Sequence, residues 1–588
     1  MMFKPILAGA GLTMTYSSMG TAVSGHITSN TTWALPNSPY VVDGDVVVET
    51  NVFLNIEPRV TVKFASGTNL VIDGALVAEG NATHMTIFTS NATLPQMGDW
   101  GGIRFRDTSI DDSCTINWAV VEYADFGIAT ESSSPTITNS RIQHNNNGVT
   151  MRAAALQMFN DTFTNNTQGV FVDGPSLDTV HFEIHNSLFE NNTVGIEGRN
   201  SIASTVIAVF NTQFSRNGVG IEGQGMGHIL NIENSTFLGN QYGVRGGETM
   251  FHYGYTNAKL STFTNNDVAI IDDGLQLLGC NVSENNQGIS AYEGAWISKS
   301  IVVNNNGTGI NANGVTVLYS TIRGNQQNGI MPHTSSTVHF SNLYDNGPYD
   351  VYYSGSYGTD VNATSNWWGT TNTTEISQHI YDYYDDYNVG KVFYEPFLDS
   401  EIAIPPLSHD IGITGITASK TVVGQGFNLN INITIFSYGD LTETFNVTVY
   451  CNETAITLPN GENYTTVTLA SGESTTVAIA WNTSGFAYGN YTIWAHAEPV
   501  SGETDIEDNT FVDGYVFVSI PGDVNGDKKV NILDCILIAN HFGHADGDGH
   551  APGSKEWFDC ANCDINSDSK TNVLDCIILS NNFNKSWT

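Results

Sequence analysis

Twice within the last seventy residues the chain repeats one pattern of oxygen-bearing side chains: Asp523, Asn525, Asp527, Asn531 and Asp534, then Asp564, Asn566, Asp568, Asn572 and Asp575. Both fit DxNxDxxxNxxD, which sets ligands at loop positions 1, 3, 5, 9 and 12, with the carbonyls of Lys529 and Lys570 expected at position 7. Hard oxygen donors at this spacing select calcium, so two Ca2+ ions are expected. Each loop runs into an apolar segment, Asn531 to Phe542 and Asn572 to Phe583, with helical periodicity. The two segments agree at seven of twelve positions. Position 6 normally takes Gly for a sharp turn, but here it is Lys528 and Ser569, which bears on metal affinity more than on the fold.

Paired loops with Asp at position 12, each followed by one helix, resemble the type I dockerin family over Pro521 to Phe583. The resemblance implies calcium-dependent folding and docking onto a cohesin-type partner. In that family loop positions 10 and 11 help choose the receptor. Here they are Ile532 and Leu533, then Val573 and Leu574, so an apolar, near-symmetric contact is expected. The alternative is a module that binds calcium but packs only on its own neighbour.

Four of the seven cysteines, Cys535, Cys560, Cys563 and Cys576, fall in this module. Cys535 and Cys576 sit at equivalent places, and Cys560 and Cys563 form a CxxC. Disulfides or a four-thiolate zinc site are both open, with disulfides favoured in an oxidising compartment. Cys114, Cys280 and Cys451 stand alone as expected buried thiols.

The elements that carry such a module must fill 588 residues, enough for two to four domains. A formal charge of −39, from 59 acidic and 20 basic residues, argues against nucleic acid and anionic membrane as partners. About eighteen NxS/T sequons, among them Asn81, Asn191, Asn306, Asn432 and Asn490, would accept glycans on a secreted protein. Residues 1–24, with one Lys and a short apolar stretch from Ile6 to Met14, read as a secretory leader. No later run has the length of a membrane span. The chain is expected to be secreted, extracellular or associated with a cell surface.

From Ile142 to Ile330 a phrase recurs: a large apolar residue, Asn three on, and Gly three further. Examples are Phe163/Asn166/Gly169, Phe189/Asn192/Gly195, Phe214/Asn217/Gly220, Val282/Asn285/Gly288 and Val303/Asn306/Gly309, with one extra residue in Ile322/Asn325/Gly329. A spacing of 19 to 26 residues without helical stretches predicts stacked β-coils. The apolar column would stack inward, Asn would form a ladder between coils, and Gly would allow a sharp turn. A second partial ladder runs through Asn139, Asn160, Asn186, Asn211 and Asn234. These columns resemble the right-handed parallel β-helix of pectate-lyase-like secreted proteins. The expected class is therefore mainly β, with that solenoid at 25–400 ending in a helical cap after Asn366 to Gly369. A linker at 401–409 leads to a β-sandwich at 410–518, and the small α dockerin-like module occupies 521–588. The segment Gly502 to Phe511 resembles the CARDB family of immunoglobulin-like modules.

On the solenoid, His181, Glu183 and His185 alternate outward in the strand Val180 to Asn186. They make a metal-binding HxExH or, more simply, a polar solvent face. Phe159 and Phe210 fall in the column of His185, and three stacked rings would suit CH–π contact with sugars. Glu197 and Glu222, followed by Arg245, with Asp272 and Asp273 one coil on, are the candidates for acid and base in glycoside cleavage; the plainer reading is a surface charge ladder. The polygalacturonase and pectate lyase signatures are missing. The leading expectation is a calcium-dependent docking protein whose solenoid binds polysaccharide or cell-surface glycan. The alternatives are a dockerin-borne polysaccharide lyase or glycoside hydrolase, and a self-assembling surface-layer or sheath component.

Overall fold

The computed structural model describes residues 20–152, 155–174, 179–200, 204–225, 227–246, 254–356, 358–544 and 555–588. The expected leader at 1–24 lies almost wholly outside them. The chain divides into two compact units, Met1–Pro405 and Pro406–Thr588.

The first unit is a parallel β-solenoid of about 14 turns. A middle coil shows how it is built. Strands Thr162–Thr164, Gln168–Gly174 and Val180–His185 each pair in parallel with the strands of the next coil, Leu188–Glu190, Val194–Asn200 and Thr205–Phe210. Phe163, Phe189, Phe214, Phe237 and Phe263 stack inside, with neighbouring ring centroids 4.5–4.8 Å apart and nearly parallel planes. That spacing is the inter-strand distance of a sheet, so the ring stack and the backbone ladder share one repeat.

The Asn column is fully buried and bonds as expected. Asn166 Oδ1 accepts from Asn145 N and Nδ2, and the same pair of bonds passes upward through Asn192, Asn217, Asn240, Asn266 and Asn285. Each Nδ2 also donates to a carbonyl of the preceding coil, as Asn217 does to Phe189 O at 3.0 Å. The second ladder forms at two of its steps: Asn160 Nδ2 donates to Asn139 Oδ1 and Asn234 Nδ2 to Asn211 Oδ1.

In the Asn304–Asn306 run it is Asn305, with Val302, that enters the ladder, while Asn306 is exposed, so this coil carries the same extra residue as the next. The Gly column is not the sharp turn. A Cβ at Gly169 would stand 2.5 Å from Gly195 O and 2.9 Å from Phe189, so Gly is required by close packing between coils. Left-handed turns fall instead on Asn139, Asn160, Asn186, Asn211 and Asn234, with φ between 46° and 60°, and on Asn165, Asn191 and Arg216 just before the ladder Asn, with φ of 55° or 56°. α1 (Thr373–Gln378), capped by Asn372, follows the NWWG segment and precedes two short strands, Ile380–Tyr381 and Val392–Phe393, that add the last parallel pairings of the solenoid.

In the second unit, strands Ile411–Ala418, Asn428–Ser437 and Ser474–Asn482 form one antiparallel sheet. A six-stranded sheet built around Glu443–Cys451, Gly489–Ala497 and Thr510–Ser519 faces it. Alternating Val447, Val449, Ile431, Ile433 and Trp481 fill the space between. Beyond Ser519 come α2 (Ile532–His541), α3 (Lys555–Cys563) and α4 (Val573–Asn582), which share a small core with Ile520, Val524, Val530 and Ile565. No disulfide joins any of the seven cysteines in this structure. Burial pushes Cys114 and Cys451 up to about 11 and Cys280 up to about 12, as expected of inert packing groups. The disulfides considered for Cys535, Cys560, Cys563 and Cys576 are not formed: Cys560 and Cys563 are buried as small apolar groups, and Cys535 and Cys576 pack on the same core.

Candidate functional site

The two expected calcium loops have one hydrogen-bond plan. Asp523 Oδ1 accepts from Asp527 N at 3.0 Å and Oδ2 from Lys528 N at 2.9 Å; Asp564 repeats this with Asp568 N and Ser569 N. Asp534 Oδ1 accepts from Val524 N and Oδ2 from Asn531 N, and Asp575 does the same for Ile565 and Asn572. The helix that follows each loop is locked to it. Asn531 and Asn572 cap α2 and α4 by accepting from Leu533 N and Leu574 N, while Asp534 and Asp575 return the bond, closing a capping box. Lys528 and Ser569 take the left-handed conformation that Gly would adopt freely, at φ 71° and 69°.

The residues fit a hard divalent cation. Asp523, Asp534, Asp564 and Asp575 are all buried, and burial raises the first three above the ordinary carboxylate range. Anionic oxygens held out of water in this way are stabilised by an ion of opposite charge. Asp568, held by Asn572 and Asn566, is lowered instead. Among the described residues no three His, Cys, Asp or Glu side chains converge on one point; within the loops the carboxylates accept main-chain N–H groups.

Receptor candidates Ile532 and Val573 are 62% and 60% exposed, and Leu533, Leu574, Ile536 and Ile577 are exposed beside them. Six bare aliphatic side chains on so small a module form a surface out of keeping with solvent.

On the solenoid, the rings of Phe159, His185 and Phe210 stack in register at 4.7 Å with interplanar angles of 10° and 12°. All three are half-buried. His185 Nε2 lies 2.6 Å from Glu183 Oε1, which fixes the ring, and His181 points outward beside them. A hollow of about 520 Å³ opens next to Phe159, lined by Leu156, Gln157, His181, Glu183 and Val206.

The carboxylate column departs from a surface ladder. Glu197 and Glu222 are register neighbours, but both are buried. Glu197 is held by Arg199 at 2.8 Å and by Gln168, and Glu222 by Arg245 Nε at 3.0 Å and Gln224 at 2.9 Å. Burial raises Glu197, with Arg199 opposing. Asp272 does not join this column, because Ile271 is the partner of Arg245. Asp272 turns into the core at a bulge, where His228 Nε2 lies 2.9 Å from Oδ1 and Thr256 donates to Oδ2 at 2.5 Å. Asp273, raised by burial, accepts from Gly254 N. The His228–Asp272 pair has no sequence signature, since its members are 44 residues apart; room for it comes from Gly223, Gly246 and Gly254, where any Cβ would strike the ring or the carboxylate.

The fold and loops thus define a parallel β-helix joined to a β-sandwich and a paired calcium-loop module. Residues 521–584 match the type I dockerin domain and residues 25–109 the pectate-lyase-like β-helix domain. Type I dockerin domains bind calcium and dock onto cohesins, and proteins that bear them are usually extracellular or at the cell surface. No curated protein matches the chain in sequence. Among solved structures, the CARDB domain of a Pyrococcus furiosus protein in complex with di-metal ions is 21% identical, with 19% of this chain and 96% of that one covered at a TM-score of 0.16. A β-glucosidase from Erythrobacter marinus is 14% identical over 19% of this chain, with a TM-score of 0.15. A mutant Listeria innocua β-glucosidase in complex with laminaribiose is 15% identical over 21%, at 0.14. The chain spans only 15% and 18% of those two enzymes. Among the described residues no helix is long and apolar enough to cross a membrane.

Proposed function

We propose that this is an extracellular or surface-associated docking protein that presents a glycan-binding β-helix. Its dockerin takes up two Ca2+ ions, one on Asp523, Asn525, Asp527, Lys529 O and Asp534, the other on Asp564, Asn566, Asp568, Lys570 O and Asp575. The bound ions supply the charge that holds the loops, and α2 and α4 then present Ile532, Leu533, Val573 and Leu574 to a cohesin-type partner. The observation that carries the docking reading is the matched pair of exposed aliphatic patches, each following a loop whose first and last carboxylates are buried.

For the solenoid, the Phe159–His185–Phe210 stack beside its hollow supports sugar binding, because flat rings at a regular step offer CH–π surface to successive pyranoses. Glycan-array binding by the whole protein tests it: Phe159→Ala and Phe210→Ala should each weaken the retained glycans about two- to tenfold, by roughly 0.5–1.5 kcal/mol. Unchanged array signals in both variants would remove the sugar-binding role.

A second reading, cleavage of a polysaccharide, is favoured by two buried carboxylates, Glu197 and Glu222, paired in register on neighbouring coils and each held by an arginine. Release of reducing ends or unsaturated uronates, abolished by Glu197→Ala or Glu222→Ala, would establish it.

A further inference from the structure

The two calcium loops agree in sequence and internal bonding, yet their surroundings carry different charge. Lys420, at the sandwich edge, is buried against the second loop. Its ammonium donates to the Asp564 main-chain carbonyl and, at 2.8 Å, to Ser567 Oγ, whose own proton goes to Asn428 O at 2.6 Å. Asn562 fastens the same edge, accepting from Thr421 N and Val422 N at 3.1 Å and donating to Thr421 Oγ1. The matching places around the first loop are neutral. There the Ser519 hydroxyl donates to Asp523 Oδ2, and Gly526, in the place of Ser567, faces Val422 and Phe517. Lys528 adds a charge to the first loop, but it is exposed, with its ammonium over the Trp587 ring at 4.8 Å, so water and salt screen it. A buried ammonium acts through a lower dielectric and is felt far more strongly.

We infer that Lys420 is a resident counter-ion of the second loop, supplied by the sandwich, so that this loop holds calcium more loosely than the first and stays ordered when calcium is scarce. The inference rests on the calcium reading of both loops. One unit charge at this range opposes a divalent ion enough to change its affinity about tenfold or more. The first loop would then govern folding of the module, and the second would respond to the calcium level.

Calorimetric calcium titration of the full chain tests this, with Asp523→Ala to leave only the second loop and Asp564→Ala to leave only the first. Lys420→Met should tighten the second loop at least about tenfold and leave the first within about twofold, while Lys420→Arg keeps the weak affinity. Asn562→Ala, which loosens the same joint without touching charge, should not reproduce the gain. Unchanged or weaker binding in Lys420→Met, or equal gains in Lys420→Arg or Asn562→Ala, would overturn the inference. Absence of calcium uptake by either loop in every variant would overturn it together with the docking reading.

Discussion

Lys528 and Ser569 occupy the same position in their two loops and share a left-handed backbone, at φ 71° and 69°, that neither side chain favours. The conformation costs a non-glycine residue roughly 1–2 kcal/mol. Ser569→Gly should therefore stabilise the docking module by about 1 kcal/mol. Lys528→Gly should gain less, because it removes the cation–π contact with Trp587, worth about 0.5–1 kcal/mol. Calorimetric unfolding of both variants in saturating calcium checks the order.

Asp161 stands in a column of hydroxyl residues, between Ser140 and Ser187, and its Oδ2 is buried without a partner. Burial pushes its carboxyl up to about 7. The folded state therefore holds this proton more tightly than the unfolded chain does, and the solenoid should lose stability as pH rises from about 4 to about 7, then level off. In Asp161→Ser the hydroxyl can accept from Ser140 N and return a bond to Phe159 O, as Ser140 and Ser187 do two residues back. The variant should match the parent near pH 4 and exceed it at pH 8, by up to about 4 kcal/mol. Denaturant titrations at the two pH values measure the difference.

Trp587 closes the docking module against the sandwich. Its Nε1 donates to Ser519 Oγ at 3.1 Å and its ring faces Phe517 and Tyr488, while Lys585 O and Asn584 N pair with Val530 across the first loop. Trp587→Ala should cost about 2 kcal/mol, mostly in the first loop, and lower that loop's calcium affinity. Loop-resolved hydrogen exchange would report greater opening around Asp523 to Asp534 than around Asp564 to Asp575.

What could be read from the sequence follows from how the interactions repeat. The Asn ladder and the Phe stack were legible because one side-chain type returns at each coil, and the loops because their ligands recur in one short pattern. Asn305 is not distinguishable in the sequence, because Asn304, Asn305 and Asn306 are identical in type and only the inward-facing Val302 fixes the register. The hydroxyl column has no sequence signature, because Ser, Thr, Asp161 and Cys280 fill it interchangeably, each position needing only a small acceptor for an N–H of the coil before. His228–Asp272 and Lys420–Asp564 join residues 44 and 144 apart in positions set by tertiary packing, which no local pattern announces.

Calcium-dependent docking through α2 and α4 is the centre of the account, and binding of the full chain to immobilised type I cohesins with calcium or excess chelator tests it most directly. Retention with calcium, loss in chelator, and loss in Leu533→Asp combined with Leu574→Asp are expected. Retention that survives both chelator and the double substitution would contradict it.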